Sequence, residues 1–189
     1  MINVLFIESG RHGGGSSESL YQHLRVIDRN NIQPTVATLN NTKYVPLIKQ
    51  LGLPVHVLTD RYLSLHAPNF TRTASIKLKG AARRLNNITP SAHIAVLRLI
   101  HMPLINKLSK MVQDLSIDIV HLNVQIYRDF FGVFLTERTE VLCISHLRSA
   151  DLTTQGQFNP KMASLANTQI ASFISNSLRT AKYWWEHEV

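Results

Sequence analysis

Short apolar runs alternate with helical patterns along this chain, and this alternation restricts the fold more than any other feature. The run INVLFIE (2–8) leads through a glycine-rich loop into a helical pattern over 17–28. PTVATL (34–39), a short helix over 45–52 and PVHVL (54–58) follow. β-α-β-α-β segments with short connections form parallel sheets with right-handed crossovers. The first third of the chain therefore predicts one edge of such a sheet.

The same alternation of strand and helix patterns is found in the second half of the chain. Strand patterns over 117–123, 140–146 and 170–177 are separated by helical patterns around 127–135 and 160–169, and another helix starts after the last strand. The length of 189 residues suits one domain. The sequence thus predicts an α/β fold, a doubly wound, Rossmann-like parallel sheet of about six strands with helices on both faces.

A basic segment over about 60–115 separates these two regions of alternating strands and helices. Between Arg61 and Gln113 it contains nine lysines and arginines and no acid, in a chain of net charge +8. Thr89-Pro90 predicts a helix start, and an apolar stripe with helical spacing follows, with a kink near Pro103. The stripe consists of Ile94, Leu97, Ile100, Leu104, Leu108, Met111 and Leu115. A localised positive charge favours an anionic partner, and a solvated helical face is the alternative.

The glycine-rich loop between Glu8 and Ser16 predicts a ligand site. Gly13, Gly14 and Gly15 carry no Cβ, so a ligand can approach their backbone, and the helix behind them directs free N–H groups at the same place. Glu18 stands where a dinucleotide fingerprint needs its third glycine, and no G-K-[ST] follows, so the NAD and P-loop interpretations fail. A flexible turn without a ligand stays open as an alternative.

Polar side chains follow the predicted strands at the edge where such sheets bind ligands. Asn123, His146 and Arg148 stand at the ends of two strands, and Ser175-Asn176-Ser177 ends another. His146 can contact a sugar hydroxyl or a phosphate, or it can merely cap the following turn. His121 alternates within its strand and is interpreted as a weaker candidate or a core residue.

The cysteine and histidine pattern argues against several other chemistries. Cys143 is the sole cysteine and lies in the apolar run EVLCIS, which predicts a buried structural thiol in a reducing compartment. The histidines show no spacing typical of a metal site, and no serine lies in a G-x-S-x-G elbow. No metal and no cofactor are expected.

These motifs together resemble the N-terminal, acceptor-side domain of the family 4 glycosyltransferases, retaining enzymes of the GT-B fold. The matching stretches are Val4–Leu24, Ile117–Asn123, Val141–Ser149 and Ala171–Thr180. The resemblance implies transfer of a sugar from a nucleotide-sugar co-substrate to a glycan or lipid-linked acceptor, without a D-x-D metal motif. It implies that the three glycines lie near the donor phosphate and acceptor, and that His146 contacts the donor sugar as the catalytic candidate. Ser16, Asn123 and Arg148 complete the expected substrate-binding set.

The resemblance also has consequences for partners and location. The family's nucleotide-binding C-terminal domain has no counterpart in residues 1–189, so activity is expected only with that domain, in cis or trans. A non-catalytic module that binds an anionic glycan or lipid is the alternative. Family members that dock on anionic membranes suggest the same role for Lys77, Lys79, Arg83 and Arg84, whereas nucleic-acid binding lacks aromatic interleaving. The expected location is cytoplasmic, or peripheral on the inner face of the membrane if this segment docks there.

Overall fold

The computed structural model describes residues 1–9, 14–58, 89–124, 126, 129–148 and 159–186. These residues form one sheet of six parallel strands in the order β3-β2-β1-β4-β5-β6. The predicted α/β fold with helices on both faces is therefore confirmed. The strands are β1 (Ile2–Glu8), β2 (Ile32–Thr38), β3 (Val55–Val57), β4 (Ile119–Leu122), β5 (Leu142–Leu147) and β6 (Ser172–Ser175). The helices are α1 (Gly15–Val26), α2 (Tyr44–Gln50), α3 (Pro90–Asp114), α4 (Phe131–Thr139), α5 (Pro160–Gln169) and α6 (Leu178–Trp185).

Two apolar clusters sandwich the central strands. Leu5 and Ile7 of β1 face a large cluster that includes residues of α3, α4 and α5, whereas Val4 and Phe6 face a smaller cluster with α1 and α2. Because both faces of β1 are buried, its sequence is continuously apolar and does not alternate. This packing fixes the end of β1, and therefore the start of the glycine-rich loop, in the middle of the sheet.

On the sheet face that carries the smaller cluster, no helix covers β4, β5 and β6 in the part of the chain that the structure describes. Ile119, Ile144 and His146 are half-buried there, and Leu142 and Ile174 are 59% and 41% exposed. The register of β4, β5 and β6 places these side chains on one face. Among the described residues, this face of β4, β5 and β6 is therefore only partly covered.

The described half of the basic segment is a packed helix. Thr89 is the N-cap residue of α3 and Pro90 occupies its first turn, as predicted, although the Thr89 hydroxyl makes no capping hydrogen bond. Leu104 and Leu108 of the predicted apolar stripe are buried in the large cluster, together with the neighbouring Ile105. Residues 59–88, which include Lys77, Lys79, Arg83 and Arg84, lie outside the described residues, and no described helix is long and apolar enough to cross a membrane.

The observed ends of the helices and strands can be compared with the predicted ones. Gly52 follows α2 with φ of +76°, the left-handed conformation predicted for a residue just beyond a helix. Glu140 adopts φ of +57° at the end of α4, so β5 begins at Leu142 and not at residue 140. β6 is shorter than predicted and covers Ser172–Ser175.

Candidate functional site

The N-terminus of α1 opens toward the carboxyl edge of the sheet. Gly14 is the N-cap residue and offers no capping side chain, and its carbonyl accepts the first helical bond from the Glu18 N–H at 3.1 Å. A Cβ built on Gly14 or Gly15 would meet no atom of the described residues within 4 Å, so those residues leave the space in front of both glycines open. Exposed N–H groups at the positive end of a helix suit an anion. Gly13 lies outside the described residues.

A buried polar network ties β1, β4, β5 and α1 together beside this opening. The Asn123 amide donates to the carboxylate of Glu8 and, at 3.0 Å, to the carbonyl oxygen of Ser16. Arg148 donates through Nη2 to the Asn123 side-chain oxygen at 2.6 Å, through Nε to the Asn123 carbonyl at 2.5 Å, and through Nη1 to Ser19 at 2.8 Å. Ser16 donates to Glu8 at 3.1 Å. The network thus joins three of the predicted binding residues and fixes the edge of the sheet to the helix.

This network changes how the predicted binding residues can act. The side chains of Asn123 and Arg148 are directed at protein groups, and Asn123 is 1% exposed. Their geometry suits a supporting role, in which they hold the α1 N-terminus and His146 in place. Ser16 is half-buried and belongs to the first turn of α1, where it lines the opening.

His146 lies next to His121, a pairing that the sequence did not predict. Nε2 of His121 is 3.3 Å from Nδ1 of His146, and Nη2 of Arg148 is 3.3 Å from the same Nδ1. Burial, followed by the charge of Arg148, lowers the pKa of His146 to about 4. Burial lowers the pKa of His121 to about 3, and neighbouring His146 contributes. Both imidazoles are therefore neutral at pH 7, which favours ligand hydrogen bonding over charge pairing.

Two further residues were missed by sequence reasoning. Asp129 is fully buried, accepts a hydrogen bond from the Ser9 hydroxyl, and accepts another from the Val124 N–H at 3.1 Å. It thereby links the segments that follow β1 and β4. Glu8 is buried, with 3% of its surface exposed. In the sequence alone, it is recognisable only as the residue that ends an apolar run. The one sequence signal that could have indicated a role for Glu8 in the site is that an acidic residue ends a buried strand.

The opposite edge of the sheet carries different features. An open depression of about 450 Å³ lies there, lined by residues such as Glu140, Leu142 and Thr168. Cys143 at its base is fully buried, as predicted, and burial raises the pKa of its thiol to about 12, which makes it a poor nucleophile at neutral pH. Within the described ranges, no three His, Cys, Asp or Glu side chains gather as metal ligands.

We expect the histidine pair to make stability depend on pH. The pKa values of His121 and His146 lie below the ordinary 6.5, so the unfolded chain binds more protons as pH falls from 6.5 toward 4. The two neutral histidines therefore contribute fully to the free energy of unfolding above pH 6.5, and this contribution is lost as the pH falls from 6.5 toward 4. Urea unfolding between pH 7 and 4.5 should give a shallower pH dependence for His121→Gln than for the wild type. His56→Gln, at an exposed position of β3, is the control, and equal slopes for all three proteins would contradict the expectation.

Comparison with known proteins defines the fold class. The chain is similar to Anabaena Alr3699/HepE in complex with UDP-glucose, with a TM-score of 0.60 and 16% identity over 98% of this chain and 40% of that one. It is similar to UDP-GlcNAc 2-epimerase from Neisseria meningitidis bound to UDP-GlcNAc, with a TM-score of 0.55 and 12% identity over 100% and 43% of the two chains. MurG of Acinetobacter baumannii gives a TM-score of 0.50 and 11% identity over 94% and 42%.

These likenesses establish a Rossmann-like α/β domain of the type found in GT-B glycosyltransferase-like proteins. The chain spans about 40% of the length of the structures it matches. No family model and no curated protein sequence matches it. The expected Rossmann-like α/β fold is therefore confirmed.

Proposed function

We propose that this chain is the N-terminal, acceptor-side domain of a retaining glycosyltransferase of family 4 type. It would form one wall of a cleft in which a nucleotide-sugar donor meets a glycan or lipid-linked acceptor, and a nucleotide-binding second domain, in cis or trans, would form the other wall. Gly13, Gly14, Gly15 and Ser16 would lie against the donor phosphate or acceptor. His146 would contact the donor sugar.

One observation supports this proposal most strongly. The uncapped N-terminus of α1 opens beside His146, and the Asn123 and Arg148 network holds both at the carboxyl edge of the sheet. Ligands of open α/β sheets bind at this edge. The two similar structures described as complexes contain UDP-glucose and UDP-GlcNAc. A uridine diphosphate sugar is thus the first donor to test.

The proposal is tested by assaying the chain joined to, or mixed with, its nucleotide-binding domain. We expect release of UDP from UDP-glucose or UDP-GlcNAc only when both domains and an acceptor are present. Proton NMR of the product should show the anomeric configuration of the donor. An inverted product would overturn the retaining assignment. A chain that binds anionic glycans or lipids, yet supports no transfer with its second domain, would favour the non-catalytic module.

A sugar-nucleotide 2-epimerase is a second candidate, because the similar structure from Neisseria meningitidis is a UDP-GlcNAc 2-epimerase. The same NMR assay distinguishes the two activities. An epimerase converts the UDP-sugar to its C2 epimer without an acceptor, whereas a transferase consumes the UDP-sugar and forms a glycoside. Acceptor dependence therefore decides between them.

For the basic segment, we propose contact with an anionic membrane surface. Replacing Lys77, Lys79, Arg83 and Arg84 by Gln should abolish co-sedimentation with phosphatidylglycerol vesicles at low salt, because each basic residue near such a surface contributes about 1 kcal/mol. Wild-type binding should disappear at about 1 M salt, where the Debye length is about 3 Å.

A variant with the same charge change elsewhere controls for net charge. Arg25, Lys43, Lys49 and Lys161 are exposed and lie outside the segment. Their replacement by Gln should leave most vesicle binding intact. Equal loss in both variants would mean that net charge, and not this segment, drives binding, and the segment would then be a solvated face.

A further inference from the structure

Three nitrogen-bearing side chains meet at one atom, Nδ1 of His146. Arg148 approaches it through Nη2 and His121 through Nε2, each at 3.3 Å. The two imidazole planes are inclined by only 13°, and their centroids are 5.5 Å apart. The centroid separation exceeds the nitrogen separation by about two ring radii, so the rings lie edge to edge and not face to face. This is the geometry of an N–H···N hydrogen bond in the ring plane.

The chemistry of the three groups determines where the protons lie. A guanidinium carries only N–H donors and is never deprotonated in proteins. Nδ1 of His146 must therefore accept, which requires it to be unprotonated. A neutral imidazole with a bare Nδ1 carries its proton on Nε2. Nε2 of His121 faces the same lone pair, so it must also carry a proton.

The surrounding charges agree with neutral rings. The titratable groups that influence the pair are Arg148 at the end of β5 and His23 on α1, and a positive charge on either disfavours an imidazolium. The Glu8 carboxylate stabilises the guanidinium of Arg148. Phe6 packs against His121 with ring centroids 5.1 Å apart, which holds the orientation of that ring. The pKa values of about 3 and 4 keep both rings neutral down to mildly acidic pH.

We propose that His121 and Arg148 fix His146 in the Nε2–H tautomer, so that His146 acts as a hydrogen-bond donor and not as a general base. His121 is then a positioning residue. In the described part of the chain, Nε2 of His146 has no protein partner, so its N–H is available to an acceptor oxygen. The identity of that oxygen, a phosphate or a sugar hydroxyl of a UDP-sugar, rests on the proposed function, whereas the tautomer does not.

The tautomer can be measured in the ligand-free chain. Long-range proton–nitrogen NMR of the ¹⁵N-histidine-labelled protein should show, for His146, a bare Nδ1 and a protonated Nε2 at pH 7, unchanged to pH 5. The His146→Gln and His121→Gln variants assign the signals. An Nδ1–H tautomer or an imidazolium at pH 7 would overturn the proposal.

A matched pair of variants tests the positioning role of His121. His121→Phe removes the ring N–H and should move the His146 nitrogen shifts toward a mixture of tautomers. His121→Gln supplies an amide donor and should restore the wild-type pattern. If His121→Phe remains folded by circular dichroism and the His146 shifts are unchanged, His121 does not set the tautomer.

Titration with two probes identifies the acceptor oxygen. A shift of the His146 Nε2–H signal with UDP alone would assign contact with phosphate, and a shift with UDP-glucose but not UDP would assign contact with the sugar. If other signals report binding of UDP-glucose but this signal is unmoved, the donor role of His146 is refuted. Failure of both probes to bind, in the presence of the second domain, would count against the proposed function, whereas the tautomer is decided by its own measurement.

Discussion

Gly14→Val is expected to reduce turnover by at least about 100-fold while leaving the fold intact, with a loss of no more than about 1 kcal/mol in stability because valine is a poorer N-cap residue than glycine. Gly14 has φ of −78° and ψ of −161°, an extended conformation that does not require glycine, and an added Cβ would meet no atom of the described residues within 4 Å. The branched side chain would instead occupy the open space at the N-terminus of α1. Displacement of a bound donor by about 1 Å is enough to cost about 100-fold in rate. The measurement is the initial rate of UDP release with the second domain present, beside a thermal melt.

Gly52→Val provides the opposite control. Gly52 has φ of +76°, which costs a residue with a Cβ roughly 1–2 kcal/mol, and it lies beyond α2, away from the opening. This variant should melt at a lower temperature and keep its turnover when assayed well below its melting temperature. A Gly14→Val protein with wild-type kinetics would remove the loop from the site.

Asn123→Ala is expected to give the largest loss of stability among the site variants. The substitution removes the amide donors to Glu8 and to the Ser16 carbonyl, together with a side-chain acceptor of Arg148. Hydrogen bonds to charged groups contribute about 1.5–3 kcal/mol each, and the Glu8 carboxylate is 3% exposed. We expect the free energy of unfolding to fall by about 3 kcal/mol, measured by urea denaturation at pH 7.

Two further variants isolate the cause. Asn123→Ala combined with Glu8→Gln should recover part of the loss, because the buried group that loses the Asn123 donor is then neutral. Asn176→Ala, at an exposed asparagine that donates to the Arg148 carbonyl at 2.9 Å, should change stability by no more than about 0.5 kcal/mol. If the double variant is less stable than Asn123→Ala alone, the buried carboxylate is not the source of the loss.

The order of strands and helices could be predicted because it depends on local sequence patterns. The continuous apolar run of β1 indicated a strand buried on both faces, and Gly52 and Pro90 marked helix ends through their backbone preferences. The strand ends were less accurate. The displaced start of β5 depends on the left-handed conformation of Glu140, a residue type that carries no signal for it.

The candidate site could be predicted only as a set of positions. Parallel strands place their carboxyl ends at one edge, so Gly14, Asn123 and His146 were expected near one another. Their roles depended on distances between residues more than 20 positions apart. The contact of His121 with His146 spans 25 residues, and that of Arg148 with Ser19 spans 129.

The sequence alone therefore determined the alternation of strands and helices, the edge of the sheet at which the candidate site residues gather, and the buried position of Cys143. These properties follow from periodicity and from backbone preferences, which act over a few residues. The tertiary structure alone decided that Asn123 and Arg148 support the site through a network with Glu8, and that His121 contacts His146. The physical reason is that sheet register brings distant side chains within hydrogen-bond distance, and hydrogen bonding in a buried site then determines which groups remain available to a ligand.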